Sequence, residues 1–321
     1  MTVATRALPD ERKGRKSTAK ELKHLLAYVV LRVLWGVLSR LPEFVVYGLG
    51  GLVGKLLCRT KLRRVARENI RLAYGDTPPS PRFPTADALA VGCMQHFGEL
   101  FAEMLLMDRW QKRIRARLVE EDPNLEPHSR ELLKLGKGVV FATGHLANWE
   151  LLARAVASSG FPFAAMAKAA FDPRVADWLV RWRAGGGVKV LNRGTGESVR
   201  GLLERIRSGL GIAVLVDVDT NVHSAWVPFF GRLAKTPTAA ADLALRMDAP
   251  IVVLWSWRIS RGRYGASFTE IPYEKTGNRT ADAERITAAI TAELERAIRA
   301  HPEQWIWSHK RFRSAPPTTV A

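Results

Sequence analysis

Gly138-Val139-Val140-Phe141-Ala142-Thr143-Gly144-His145-Leu146-Ala147-Asn148-Trp149-Glu150 is the stretch on which the reading of this chain turns. Six residues without a charge, bounded by glycines, form a strand with no polar face, as in a sheet covered on both sides. The strand then delivers a histidine, and a carboxylate follows five residues later. Within one helix, residues five apart point roughly 140° from each other at about 100° per residue, so His145 and Glu150 would not meet. If His145 instead ends the strand and Asn148 caps a new helix, Glu150 falls in the first helical turn and can fold back onto the imidazole. There the helix dipole favours the ionised carboxylate, and the pair becomes a base with its orienting group. A satisfied loop histidine beside a helix-capping acid accounts for the two residues equally well.

The pattern continues to either side. Apolar runs at 138–143, 162–167, 187–192, 211–216, 250–258 and 265–271 are expected strands. Helical spacing is expected at 148–159, 173–184, 196–208, 236–248 and 280–300, and a long amphipathic helix over Ala86 to Trp110. Alternation of this kind predicts an α/β domain: a mixed, mostly parallel sheet covered by helices. Asp76 to Pro84, with its prolines, reads as a loop. The expected division is a basic arm without order over 1–20, a helical hairpin anchoring to a membrane over 21–58, a catalytic domain over 59–315 and a loose tail over 316–321.

The chain has 321 residues, and 49 lysines and arginines against 31 aspartates and glutamates give a net charge of +18. Such a charge points to an anionic partner, whether nucleic acid, anionic lipid or an acidic carrier protein. Cys58 and Cys93 form no ligand or disulfide pattern and fit a reducing compartment. Residues 25–38 and 44–58 are apolar but interrupted by Arg32 and Lys55, short of the about 20 uninterrupted residues of a membrane span. Arg12, Lys13, Arg15, Lys16, Lys20 and Lys23 precede them, and Arg59, Lys61, Arg63, Arg64, Arg67 and Arg71 follow. Positive flanks on both sides suit an interfacial hairpin better than one crossing. A buried helical pair is the other reading, and Gly50-x-x-x-Gly54 permits close packing in either setting.

Further candidates sit at other expected strand ends. Asp217-Val218-Asp219 follows 211–216, where α/β proteins place functional groups; the two acids suit a metal, a cap or arginine pairs alike. Asn192-Arg193 ends another strand, and an arginine there suits a phosphate or an oxyanion. His223-Ser224 leads into Val227-Pro228-Phe229-Phe230-Gly231, a rigid apolar loop or edge strand. Gln304 to Arg313 interleaves aromatics with cations, as lipid-headgroup or nucleic-acid contacts do. Nucleotide motifs fail: Leu56 stands where a phosphate loop needs serine or threonine, Gly194-x-Gly196 lacks its third glycine, and there is no Gly-x-Ser-x-Gly elbow.

Taken in order, Arg63-Arg64-Val65-Ala66-Arg67-Glu68-Asn69-Ile70, the 144–151 segment, Asn192-Arg193, Asp217-Val218-Asp219, His223 to Gly231, and Trp307-Ser308-His309-Lys310-Arg311-Phe312 resemble the lipid A late acyltransferase family. These are the lauroyl/myristoyl transferases of Gram-negative inner membranes. The resemblance implies a glycerol-phosphate acyltransferase-like fold. It further implies direct transfer of an acyl chain from an acyl thioester, of acyl carrier protein or coenzyme A, to a lipid hydroxyl at the cytoplasmic face of the inner membrane. His145 and Glu150 are then the catalytic pair. Arg193, Asn148, Asp217, Asp219 and His223 are candidates for binding substrate or oxyanion, with no metal, no cofactor and no nucleic acid. The chain departs from the family at Val218, where the common pattern is Asp-Gln-Asp, and at Thr220-Asn221, where a short glycine turn is usual. Relatives with the same histidine motif acylate mannosylated phosphatidylinositol or other lysolipids. The acceptor therefore stays open. A non-catalytic basic binding protein would make His145 dispensable, and a lipid hydrolase would release free fatty acid.

Overall fold

A computed structural model describes residues 11–316, apart from 79, 169–171, 194–200, 202, 203, 205 and 206; the side chains of 11–19, 168, 192 and 193 are also not described. Two helices come first, α1 (Glu11–Leu38) and α2 (Glu43–Leu57), then α3 (Lys61–Tyr74) and α4 (Ala86–Trp110). The α/β part follows: β1 (Leu118–Glu121), α5 (Leu125–Lys134), β2 (Val139–Thr143), α6 (Trp149–Ser158), β3 (Phe163–Lys168), α7 (Pro173–Gly185), β4 (Lys189–Arg193) and β5 (Gly211–Leu215). A hairpin of β6 (Ser224–Phe229) and β7 (Arg232–Pro237), then α8 (Ala239–Met247), β8 (Ile251–Ser260), β9 (Arg263–Ile271) and α9 (Arg279–Ala300), complete it. The helix expected at 196–208 lies mostly outside the described residues. Because α1 starts at Glu11, the second half of the segment expected as an arm without order is helical.

Val139–Thr143 is buried at all five positions, as a strand with no polar face requires. It lies inside a seven-stranded sheet of order β1-β9-β8-β2-β5-β3-β4, in which β2, β3, β4, β5 and β8 run parallel and β9 runs antiparallel to β8. Successive residues feed opposite faces. Val140, Ala142, Ile212, Val214, Ile251 and Val253 pack with α3, α4, α8 and α9, whereas Val139, Phe141, Ala213, Val252 and Leu254 pack with α5 and α6. The mixed, mostly parallel sheet covered by helices is thus present.

The helix expected over 86–110 is α4, and it is a central helix buried along most of its length. Even Glu103 is fully buried. Its carboxylate receives Arg258 Nε at 3.0 Å and Nη2 at 2.7 Å, the Tyr264 hydroxyl, and Asn148 Nδ2 at 3.3 Å. A buried carboxylate is tolerable only when paired and saturated with donors in this way.

Helix α2 lies against α4 through glycine. A Cβ on Gly98 would sit 2.1 Å from Gly50 O and 2.7 Å from Gly54 N, so the two backbones touch where side chains would part them. Packing of this closeness is what the Gly50-x-x-x-Gly54 spacing permits. Apolar side chains of α1 and α2 are left bare: Phe44 of α2 is 78% exposed, and Leu22, Leu26 and Val33 of α1 are 66%, 62% and 58% exposed. Among the described residues, no helix is long and apolar enough to cross a membrane.

Candidate active site

Register alone brings the first two groups together. In the β2–β5 pairing Thr143 stands opposite Leu215, and Val216 N–H donates to Thr143 O at 3.1 Å. Two residues further on, His145 and Asp217 face each other. The backbone N–H of His145 donates to Asp217 Oδ2 at 2.6 Å, and His145 Nδ1 meets Oδ1 at 2.8 Å. Trp305 Nε1–H completes the carboxylate at 2.8 Å from Oδ2. Gly144 is required for this approach, since a Cβ there would lie 2.9 Å from Asp217 Oδ2.

The loop is held from behind. Ala147 has φ of 50°, unusual for a residue with a side chain, and its N–H donates to Gln304 O at 2.9 Å. Leu146 bridges to Trp305. Gln304 in turn exchanges hydrogen bonds with Arg258, its Oε1 accepting from the backbone N–H at 2.6 Å and its Nε2 donating to the carbonyl at 3.1 Å. Asn148 caps α6 as expected, with Oδ1 accepting from Leu151 N–H at 3.0 Å.

The electrostatics follow from this geometry. Burial disfavours the imidazolium of His145, but the Asp217 charge and hydrogen bond outweigh it, with Glu150 adding to them, and the pKa rises above the ordinary histidine value. Burial also pushes Asp217 up, yet His145 and Trp305 hold it below the usual carboxylate range. With a carboxylate on Nδ1, the proton resides there and Nε2 is the basic nitrogen.

Four of the expected site residues take other placements. Glu150 does not orient the imidazole: both its oxygens accept from Arg183 Nε at 3.0 Å, and Arg183 Nη2 also donates to Oε1. The helix cap turns its carboxylate toward α7, so Asp217, expected to bind substrate or oxyanion, holds the orienting position instead. Asp219 is turned away from His145. It accepts from Ser314 N–H at 3.0 Å and Arg313 Nη2 at 3.3 Å, both near the end of the chain. His223 is not brought to the site; its Nδ1 lies 2.7 Å from Thr238 Oγ1 and it lines a separate surface hollow. Arg193 ends β4 in backbone, but its side chain lies outside the described residues. Among the described residues no cluster of histidine, cysteine and acid could hold a metal.

Sequence reading missed Trp305, Arg183 and Trp149 as parts of the site. The ring of Trp149 meets His145 edge-on, with centroids 4.9 Å apart. Beside them opens a cavity of about 350 Å³ between α6, α7 and the sheet. His145, Glu150 and Arg183 line it together with an apolar wall that includes Leu152, Val156, Phe163 and Leu254. It has the size and lining of a pocket for a small molecule or a hydrocarbon chain. A base with a fixed tautomer beside an apolar pocket can deprotonate a hydroxyl or a water next to a bound chain.

Comparison with known proteins identifies the family. The chain is 26% identical over 302 residues to the lipid A biosynthesis lauroyltransferase of Escherichia coli K12, covering 92% of this chain and 93% of that one. It is 23% identical over 273 residues to the phosphatidylinositol mannoside acyltransferase of Mycobacterium tuberculosis CDC 1551, covering 84% of each. The family model described as bacterial lipid A biosynthesis acyltransferase matches residues 12–314. The chain belongs to the bacterial lipid A biosynthesis acyltransferase family.

Proposed function

We propose that this protein transfers a fatty acyl chain from an acyl thioester to a hydroxyl of a membrane glycolipid, a lipid A precursor or a relative of it. The observation that carries the reading is the His145–Asp217–Trp305 arrangement at an apolar cavity of about 350 Å³. The acyl chain occupies the cavity and the thioester carbonyl lies near the imidazole. His145 Nε2 takes the proton of the acceptor hydroxyl as its oxygen attacks the carbonyl carbon. The C–S bond then breaks, and the thiolate leaves and takes that proton from the imidazolium. Asp217 holds the tautomer and compensates the charge, a contribution of about 10²–10⁴-fold for a positioned base. Glu150 and Arg183 hold α6 to α7 at the cavity and add a field at one remove. Arg193 remains the sequence-based candidate for the oxyanion. No serine or cysteine nucleophile and no cofactor enters the scheme.

The donor is proposed to be acyl carrier protein, whose acidity suits a chain of net charge +18. The bare apolar side chains of α1 and α2, followed by Lys61, Arg63, Arg64 and Arg67 on α3, suit an anionic membrane surface, with the hairpin lying in the interface. The proposed location is the cytoplasmic side of the inner membrane, because thioester donors are made there. Mass spectrometry of total lipids from cells lacking the gene, and from cells carrying His145→Ala, tests the reading. A glycolipid one acyl chain lighter in both is expected. Unchanged lipids, together with no transfer by the purified protein, would overturn it, and free fatty acid as the product would mark a hydrolase.

A further inference from the structure

The cavity beside His145 does not end in solid protein. Phe141, Leu152, Val156 and Leu254 line it and also line a second hollow of about 30 Å³ behind. On its far side that hollow meets Leu118, Leu125 and Arg115, whose guanidinium pairs with Glu121 at 3.2 Å and Glu126 at 3.1 Å. Two apolar chambers are thus separated by four side chains, and the second is closed by charge.

Helix α6 gives the cavity a direction. Trp149, Leu152, Ala153 and Val156 all line it, the i, i+3, i+4, i+7 spacing of one helical face. From Trp149, which touches His145, to Val156 is about 10 Å along the axis. The base stands at one end, Leu152 and Leu254 stand along the wall, and Val156 and Phe141 lie toward the other end. Phe141 is fixed there by edge-on contacts with Phe161 at 5.5 Å and Phe163 at 6.1 Å.

We propose that the partition of Phe141, Leu152, Val156 and Leu254 sets the length of the acyl chain this protein selects, and that the hollow behind it becomes usable when the partition is trimmed. The inference rests on the acyl-transfer reading. With the carbonyl held at His145, a chain that just reaches the partition is wholly buried. A longer one must displace closely packed side chains or leave methylenes in water, a penalty of roughly fourfold in transfer rate per methylene. The Arg115 ion pairs form a second stop, because an apolar chain end gains nothing by entering a charged cluster.

The test is competition among saturated acyl thioesters differing by two carbons, with the glycolipid products resolved by mass spectrometry. The parent protein should show one preferred length. Leu254→Ala and Leu152→Ala join the chambers and should move the preference about two carbons longer. Ala153→Leu fills empty space midway along the cavity and should move it about two carbons shorter. Folded variants that transfer with the parent's length profile would overturn the partition and leave acyl transfer standing. If the parent transfers from no thioester, the acyl-transfer reading falls and the partition with it. Should the two trimmed variants fail to fold, the milder trims Leu254→Val and Leu152→Val decide in their place, with a shift to longer chains expected and an unchanged profile overturning the partition.

Discussion

Replacing Asp217 by asparagine exchanges one carboxylate oxygen for an NH₂, removing the charge and changing almost no shape. Asp217 Oδ1 accepts from His145 Nδ1–H, while Oδ2 accepts from His145 N–H and Trp305 Nε1–H. Asparagine has one acceptor oxygen. If that oxygen serves the backbone and Trp305, the amide NH₂ faces Nδ1, and the imidazole must carry its proton on Nε2, where the base is needed. The other orientation sets an NH₂ against two buried donors, at about 1–3 kcal/mol for each unsatisfied group. The first orientation wins, and it disables the base. Asp217→Asn is therefore expected to lower kcat about 10²–10⁴-fold with little change in donor KM.

The pH profile adds a second reading. Neutral His145 is the active form, so activity in the parent rises with pH through a value above the ordinary imidazole one, the direction set by Asp217 against burial. Glu150, paired with Arg183, and His309, near Asp219, also bear on the imidazole. Without the Asp217 charge, burial acts with less opposition, and the inflection of any residual activity should move to lower pH. Steady-state transfer assays across pH measure both. A folded Asp217→Asn protein with a rate within about threefold of the parent and an unmoved inflection would refute the orienting role.

Glu150→Gln removes the partner of a half-buried arginine and should lower kcat about tenfold to a hundredfold, with a smaller loss in Arg183→Gln/Glu150→Gln than the single effects combined, as a double-mutant cycle in transfer rate would show. Gly98→Ala forces a methyl onto the Gly50 carbonyl and should destabilise by about 1–3 kcal/mol or more in chemical denaturation. Gly51→Ala, with nothing within 4 Å, should instead stabilise by about 0.5–1 kcal/mol. Phe44→Asp at an exposed position of α2 should leave the fold intact and weaken binding to anionic vesicles at least tenfold in a sedimentation assay, from the loss of about 2 kcal/mol of apolar burial.

Buried strands announce themselves because they lack a polar face. The run at 138–143 became β2, and the runs at 162–167 and 211–216 became β3 and β5 within a residue or two. Edge elements did not. Leu118–Glu121 carries two acids and is half solvated, so no apolar run marks β1, and α5 after it went unread. The β6–β7 hairpin was legible only as a loop or edge strand. The site divides in the same way. His145 and Asp217 were found because strand ends are visible in sequence, but which carboxylate meets the imidazole depends on the β2–β5 register, a relation between segments. Glu150 finds Arg183 33 residues away, and Trp305 finds Asp217 across 88. No periodicity links such distant positions, and tertiary packing alone decides them.

The dependence of Asp217 on Trp305 also imposes an order in time. A ribosome adding roughly 5–20 residues per second completes β2 and β5 well before the segment from Pro302 to Ser314 exists. Until then Asp217 lacks its tryptophan donor, Ala147 lacks Gln304, and the histidine loop has nothing to close against. The late segment is then tied down by Asn69 of α3, whose Nδ2 donates to the carbonyls of Trp307 and His309. A helix made before the sheet thus secures a segment made after it. The alignment of the base is therefore a property of the joined sheet and 302–314 segment, and the sheet strands alone do not supply it.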